Sequence, residues 1–150
     1  MKKFLYHKTP QSTISLVLNV ADNWGNIKEK VLNEINISSI EFSILASITG
    51  ITIRKQKTTL IEISLYSKID LTGLQNAISS LLEKKHISVL KNNDIEENNE
   101  FLKTNSGHEI LQKGLTIVNK AEDQFFAKLN AEELVLFRNM LKRINPLIKS

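Results

Sequence analysis

The chain has 150 residues, with 20 Lys and Arg against 16 Asp and Glu, a formal charge of +4 and no cysteine. That length supports one domain with a core large enough to stand without staples. The missing cysteine excludes a disulfide framework, a thiolate zinc site, cysteine catalysis and a thiol redox sensor, while the mild basic excess is compatible with nucleic acid and decides nothing alone.

Met1 to Tyr6 begins like a signal peptide, but His7, Lys8, Thr9 and Pro10 interrupt it before an apolar run forms. No stretch approaches the roughly 20 apolar residues of a membrane span. The expectation is a soluble, cytoplasmic chain without a membrane partner. Two prolines and five glycines predict a helix-rich chain without a long linker. Thr9 and Pro10 can serve as N-cap and first helical residue, and Ile14, Val17, Leu18, Ala21, Trp24, Ile27, Val31 and Ile35 then recur at helical spacing. Ser38 with Glu41 reads as a capping box for a shorter helix carrying Phe42, Leu45, Ala46 and Ile48 and stopping near Gly50. Thr59 with Glu62 opens another, ending around Ser67. Asp70 or Thr72 caps the next, which runs to about Lys85 with Leu74, Ala77, Ile78, Leu81 and Leu82 on its inner stripe.

Val89-Leu90 and Phe101-Leu102 flank a polar tip, as in a hairpin. That tip is acidic, with Asp94, Glu96, Glu97 and Glu100. Beyond Gly107, Ile110, Leu111, Leu115, Val118, Phe125 and Leu129 make a long helical stripe. Asn130 with Glu133 caps a last helix carrying Leu134, Phe137, Met140, Leu141 and Ile144. The first helix and these last two have more apolar surface than a small core needs, which predicts burial in a dimer.

Catalytic chemistry finds no support: His7, His86 and His108 are scattered, and the chain has no phosphate-binding glycine loop, no nucleophile elbow and no metal-ligand spacing. No catalytic residue, cofactor or metal is expected. Thr59 to Lys85 is more informative, as two helices joined by a short turn. The second exposes Thr72, Gln75, Asn76, Ser79 and Ser80 opposite its apolar stripe. Gln and Asn can contact adenine bidentately and Ser or Thr can serve several bases, so this face could read a major groove. Such residues are also what the outer face of any soluble helix carries, and from the pattern alone that is the more common case.

At this point the residues resemble the MarR-type winged helix-turn-helix regulators over nearly the whole chain. Thr59-Leu-Ile-Glu62-Ile63-Ser64 is similar to the family's Thr-x-x-Glu-Leu-Ala helix, and Leu82-Glu83-Lys84-Lys85-His86-Ile87 to the Leu-Glu-Lys-Lys-Gly-Leu that ends its recognition helix. Thr104-Asn-Ser-Gly107 is similar to the Leu-Thr-x-x-Gly leaving the wing, with Lys103 in the leucine's place. Trp24, Phe42-Ser-Ile-Leu45-Ala46-Ser-Ile48 and Glu122-Asp123-Gln-Phe125-Phe126 resemble motifs of one branch.

The resemblance implies a mainly α fold with a small β-hairpin wing, a winged helix-turn-helix core flanked by long N- and C-terminal dimerisation helices. Residues 1–150 form a single domain, with dimerisation helices over 10–36 and 108–148 and the winged helix-turn-helix over 38–106, its wing at about 88–104. It implies a homodimeric regulator of transcription that binds double-stranded operator DNA and answers to a small-molecule effector. Two features depart from the family. Asp94-Ile95-Glu96 stands where the wing usually reads Asp-x-Arg, and Ser80 and Leu90 stand near places usually held by arginine. Those changes remove charges from the electrostatic term that dominates DNA affinity. Arg54, Lys55 and Lys57 precede the third helix, and Lys84 and Lys85 end the fourth, as candidates for phosphate contacts. The alternative is a degenerate winged-helix dimer that serves as a protein-interaction or ligand-sensing module without specific DNA binding. Trp24, Phe42 and Tyr66 are candidates for a shared pocket.

Overall fold

The computed structural model describes residues 12–92 and 95–145. Its elements are α1 (Thr13–Asn33), α2 (Ser39–Ile53), α3 (Leu60–Ser67), α4 (Leu71–Glu83), β1 (Ile87–Leu90), β2 (Glu100–Lys103), α5 (Asn105–Phe125) and α6 (Ala131–Ile144). The strands form an antiparallel hairpin with Ile87 opposite Lys103 and Leu90 opposite Glu100. This is the mainly helical, winged arrangement that the sequence predicts.

The helix starts follow side-chain chemistry. Ser38 and Glu41 form the expected capping box on α2, and Asn130 and Glu133 form another on α6, each satisfying backbone donors that a helix leaves unpaired. Thr59 caps α3 and Asp70, rather than Thr72, caps α4. Thr9 and Pro10 lie outside the described residues; Ser12 caps the described helix by accepting from the Ser15 N–H.

Three boundaries differ from expectation, two of them at glycines in close contact with another segment. α2 passes through Gly50 to Ile53, because this glycine receives the Tyr66 ring: a Cβ there would lie 2.6 Å from the Tyr66 Cζ. Gly107 belongs to the first turn of α5, pressed against the His86 carbonyl group, whose carbon would be 2.9 Å from a Cβ. Leu129 keeps helical spacing from Phe125 but sits in the turn after α5, where its N–H donates to the Phe126 carbonyl at 2.9 Å.

The core forms around α2, which is apolar on nearly every side, as a helix enclosed by others must be. Ile44, Leu45, Ile48 and Ile51 are fully buried with Leu32, Ile37, Ile63, Leu74 and Leu81 from the surrounding segments. Each such side chain contributes about 1.5–3 kcal/mol of burial. Gly114 lets α5 approach closely, since a Cβ there would stand 2.7 Å from the Phe42 ring. The hairpin is tied to the loop before α3: the buried Thr58 hydroxyl donates to the Phe101 carbonyl at 2.6 Å and the Phe101 N–H donates back to Thr58 at 3.0 Å. α1 and α6 are different. Ile14, Leu16, Leu18, Val135, Leu136 and Ile144 are exposed, and α6 buries no residue.

Candidate nucleic-acid interface

The α3-turn-α4 unit is fixed by polar groups placed where the chain must reverse. Lys68 ends α3 in the left-handed region at φ 59°, and the Ser64 hydroxyl donates to the Ile69 carbonyl at 2.6 Å. The Asp70 carboxylate then accepts from the Gly73 N–H at 2.7 Å. With Leu74, Ala77, Ile78 and Leu81 buried, Thr72, Gln75, Asn76 and Ser79 are held on the exposed side of α4. The Ser79 hydroxyl donates to the Gln75 carbonyl at 3.1 Å. Ser80 stands apart from this stripe: it is half-buried and its hydroxyl faces the Glu41 carboxylate. Glu83 lies on the exposed stripe, seven residues beyond Asn76 and thus nearly in line with it on a helix. Its alignment was available from the spacing alone.

The basic residues before α3 are all exposed. Arg54 caps the end of α2 with its guanidinium 5.1 Å from the Tyr66 ring centre. Lys55 turns the chain at φ 56°, and Lys57 follows just before the Thr58 anchor. Lys84 has another task. Its ammonium donates to both Glu41 oxygens at 2.9 and 3.0 Å and to the Asn36 carbonyl at 2.9 Å. A lysine fully engaged in this way is a strut between the ends of α2 and α4, not a free phosphate contact, and Lys85 alone of that pair is exposed. Burial pushes the Glu41 carboxyl up, but hydrogen bonds from Ser80, Lys84 and the Ser38 N–H, with the charge of Lys84, outweigh it and leave the group below its ordinary value.

Beside this strut, the His86 Nδ1 pairs with the Ser106 hydroxyl at 2.9 Å, and desolvation and the neighbouring Lys84 charge hold its pKa below the ordinary value. Lys103 folds inward so that its ammonium donates to the Thr49 hydroxyl at 2.6 Å, and burial lowers its pKa. It spans from the hairpin to α2 where the resemblance expects a leucine.

Asp94 lies outside the described residues. Glu96 and Glu97 are exposed in a short 3-10 turn, and the apolar Leu90, Ile95 and Leu102 are exposed near them. The one ion pair among the described residues is Lys84 with Glu41, so the exposed Glu96 and Glu97 have no ion-pair partner among them. Among the described residues no three His, Asp or Glu side chains gather to hold a metal ion, and none of the described helices is long and apolar enough to cross a membrane.

The three aromatic residues proposed to share a pocket are dispersed. Phe42 packs on Gly114 and Tyr66 on Gly50. Trp24 lines an apolar cleft of about 520 Å³ between α1, α5 and α6, with Val17, Val20, Phe125, Phe137 and Leu141. Trp24, Phe125, Phe126 and Phe137 form a chain of ring contacts along it, with centroids 5.6, 5.1 and 6.2 Å apart.

No protein-family model matches the chain, and no curated protein matches it in sequence. Solved structures match it closely in shape. MarR from E. coli in its apo form superposes with a TM-score of 0.75 at 20% identity, covering 90% of this chain and 98% of that one. A mutant of the same protein complexed with operator DNA gives 0.71 at 20% identity, covering 87% and 91%. BpsR from Bordetella bronchiseptica, whose DNA binding is regulated by 6-hydroxynicotinic acid, gives 0.73 at 15% identity, covering 90% and 95%. Likeness across nearly the whole of both chains, together with the capped α3-turn-α4 unit and the anchored hairpin, establishes that this protein has the MarR-type winged-helix fold.

Proposed function

We propose that the protein is a homodimeric, DNA-binding regulator of transcription. In this reading α4 enters the major groove with Thr72, Gln75, Asn76 and Ser79 against base edges, while Arg54, Lys55 and Lys57 hold phosphates. The observation that carries it is the amide and hydroxyl stripe, exposed on a helix whose position is fixed by the Ser64 and Asp70 hydrogen bonds. The protein works as one domain over residues 1–150, with its winged helix-turn-helix over 38–106 and its partner engaged through the helices of 10–36 and 108–148. A small-molecule effector of the kind that regulates BpsR belongs to the same proposal.

The test is selection from a random duplex pool at moderate salt, followed by variants on the selected site. Gln75→Ala and Asn76→Ala should each weaken the selected duplex by about 1–3 kcal/mol while leaving scrambled DNA almost unchanged. Lys55→Ala and Lys57→Ala should weaken every sequence alike and make the salt slope shallower by about one unit per lost phosphate contact. Failure to enrich any sequence, or equal loss on all duplexes from the Gln75 change, would leave the interaction-module reading in its place.

A further inference from the structure

The outer side of α3 is an apolar ridge, which the DNA reading does not use. Ile61 and Leu65 are one helical turn apart and point away from the buried Ile63, with Leu65 70% exposed. Tyr66, the next residue, lies on Gly50, and Ile53 is three residues beyond that glycine on α2 and 76% exposed. The ridge therefore continues from α3 onto the end of α2. Cations stand at both of its ends: Arg54 and Lys55 beside Ile53, Lys57 before α3 and Lys68 three residues after Leu65, all exposed. Of the nearby acids, Asp70 has its carboxylate bonded to the Gly73 N–H, and Glu62 is half-buried in the first turn of α3, where its N–H donates to the Thr59 cap.

The wing has the complementary make-up. Ile95 and Leu90 are each 53% exposed, and the exposed Glu96 and Glu97 follow Ile95 directly. An apolar ridge bounded by cations and an apolar tip carrying carboxylates occur on the same chain, both without a partner among the described residues. We infer that a second copy of this protein docks its acidic, apolar wing tip onto the basic-edged ridge of α2 and α3, joining molecules wing to ridge. Two identical ridges facing each other would oppose like charges, so the wing is the matching surface. The contact uses Lys55 and Lys57, the cations assigned to phosphates above, and therefore competes with DNA. It does not depend on the α1 and α6 interface.

Sedimentation and light scattering of the full chain without DNA test this, over a concentration series at about 0.05 M and about 0.5 M salt, since screening weakens exposed charge pairs. At low salt the average mass should rise with concentration above its high-salt value. Lys55→Glu with Lys57→Glu in one variant, and Glu96→Lys with Glu97→Lys in another, should each hold the mass at the high-salt value. An equimolar mixture of the two variants should restore association, because each ridge again meets a wing of opposite charge. Leu65→Ser should also reduce it. A mass independent of concentration and salt, single variants that associate like the parent, or a mixture that fails to recover would overturn the proposal. Substitutions in the α1 and α6 cleft should lower the high-salt mass without removing the salt-dependent rise, which separates this contact from the dimer.

Discussion

Glu41 shows how one residue can be legible in sequence for half of what it does. Its place in a capping box follows from Ser38 three residues earlier, but its pairing with Lys84, 43 positions away, depends on the fold. The carboxylate is 4% exposed and the lysine side chain 27%. Glu41→Gln should cost about 2 kcal/mol at neutral pH, below the 3–5 of a fully buried pair because Lys84 can turn to water. The pH dependence has a definite sign. A carboxyl held below its ordinary pKa stabilises the fold fully above the unfolded value of about 4.3, and that contribution is lost as pH falls through the folded value. Urea midpoints of parent and Glu41→Gln should therefore converge as the solution is acidified below about pH 4; a gap independent of pH would mean that the pair contributes nothing. Gly107 makes a different demand, since a Cβ would meet the His86 carbonyl, which is backbone and cannot swing away. Gly107→Ala should cost about 1–3 kcal/mol as an overpacked site, read by thermal or urea unfolding.

The wing is an element whose place and chemistry point in different directions. Its strands, its attachment through Thr58 and its position after α4 make it the hairpin of a winged helix, yet Glu96 and Glu97 stand at its tip. Replacing Glu96 with arginine should tighten DNA binding several-fold, most at low salt and next to A·T-rich flanks, whose narrow minor groove attracts arginine. The measurement is affinity of parent and variant for selected and scrambled duplexes across a salt series. No gain on any duplex would mean that the wing stays away from DNA. Helix existence, type and most caps were readable because they rest on neighbours three or four residues apart: Ser38 with Glu41, Thr59 with Glu62, Asn130 with Glu133. Features set by distant chain segments were not. Gly50 read as a stop because the sequence does not reveal Tyr66 lying on it, and Lys84 read as a phosphate ligand because Glu41 is remote. Ser80 shared the polar composition of the α4 stripe but not its direction, because its register places it beside the buried Ala77 and Leu81.

For the whole molecule, the apolar faces left on α1 and α6 are where a predicted assembly would form. α1 and α6 expose Leu16, Val20, Val135 and Leu136, and between them runs the 520 Å³ cleft lined by Val17, Trp24, Phe137 and Leu141. An exposed apolar area of this continuity marks an interaction surface, and a reader of two half-sites about one helical turn of DNA apart needs a two-fold partner at such a distance. The dimer should therefore close over these helices and appear at twice the chain mass of 17.1 kDa at high salt. Val17→Glu and Leu141→Glu would each place a charge in that cleft, where an unpaired carboxylate cannot be buried cheaply. Both should shift the high-salt mass to that of one chain while α2 to α4 stay folded. Trp24 supplies an independent readout, as the one tryptophan in the chain. Its emission should move to longer wavelength on dilution of the parent, in step with the fall in mass, and should be shifted already in the two variants. A parent that remains a monomer at tens of micromolar with its terminal helices formed would remove the geometry on which a two-site DNA reader depends, whatever single duplexes the recognition helix can bind.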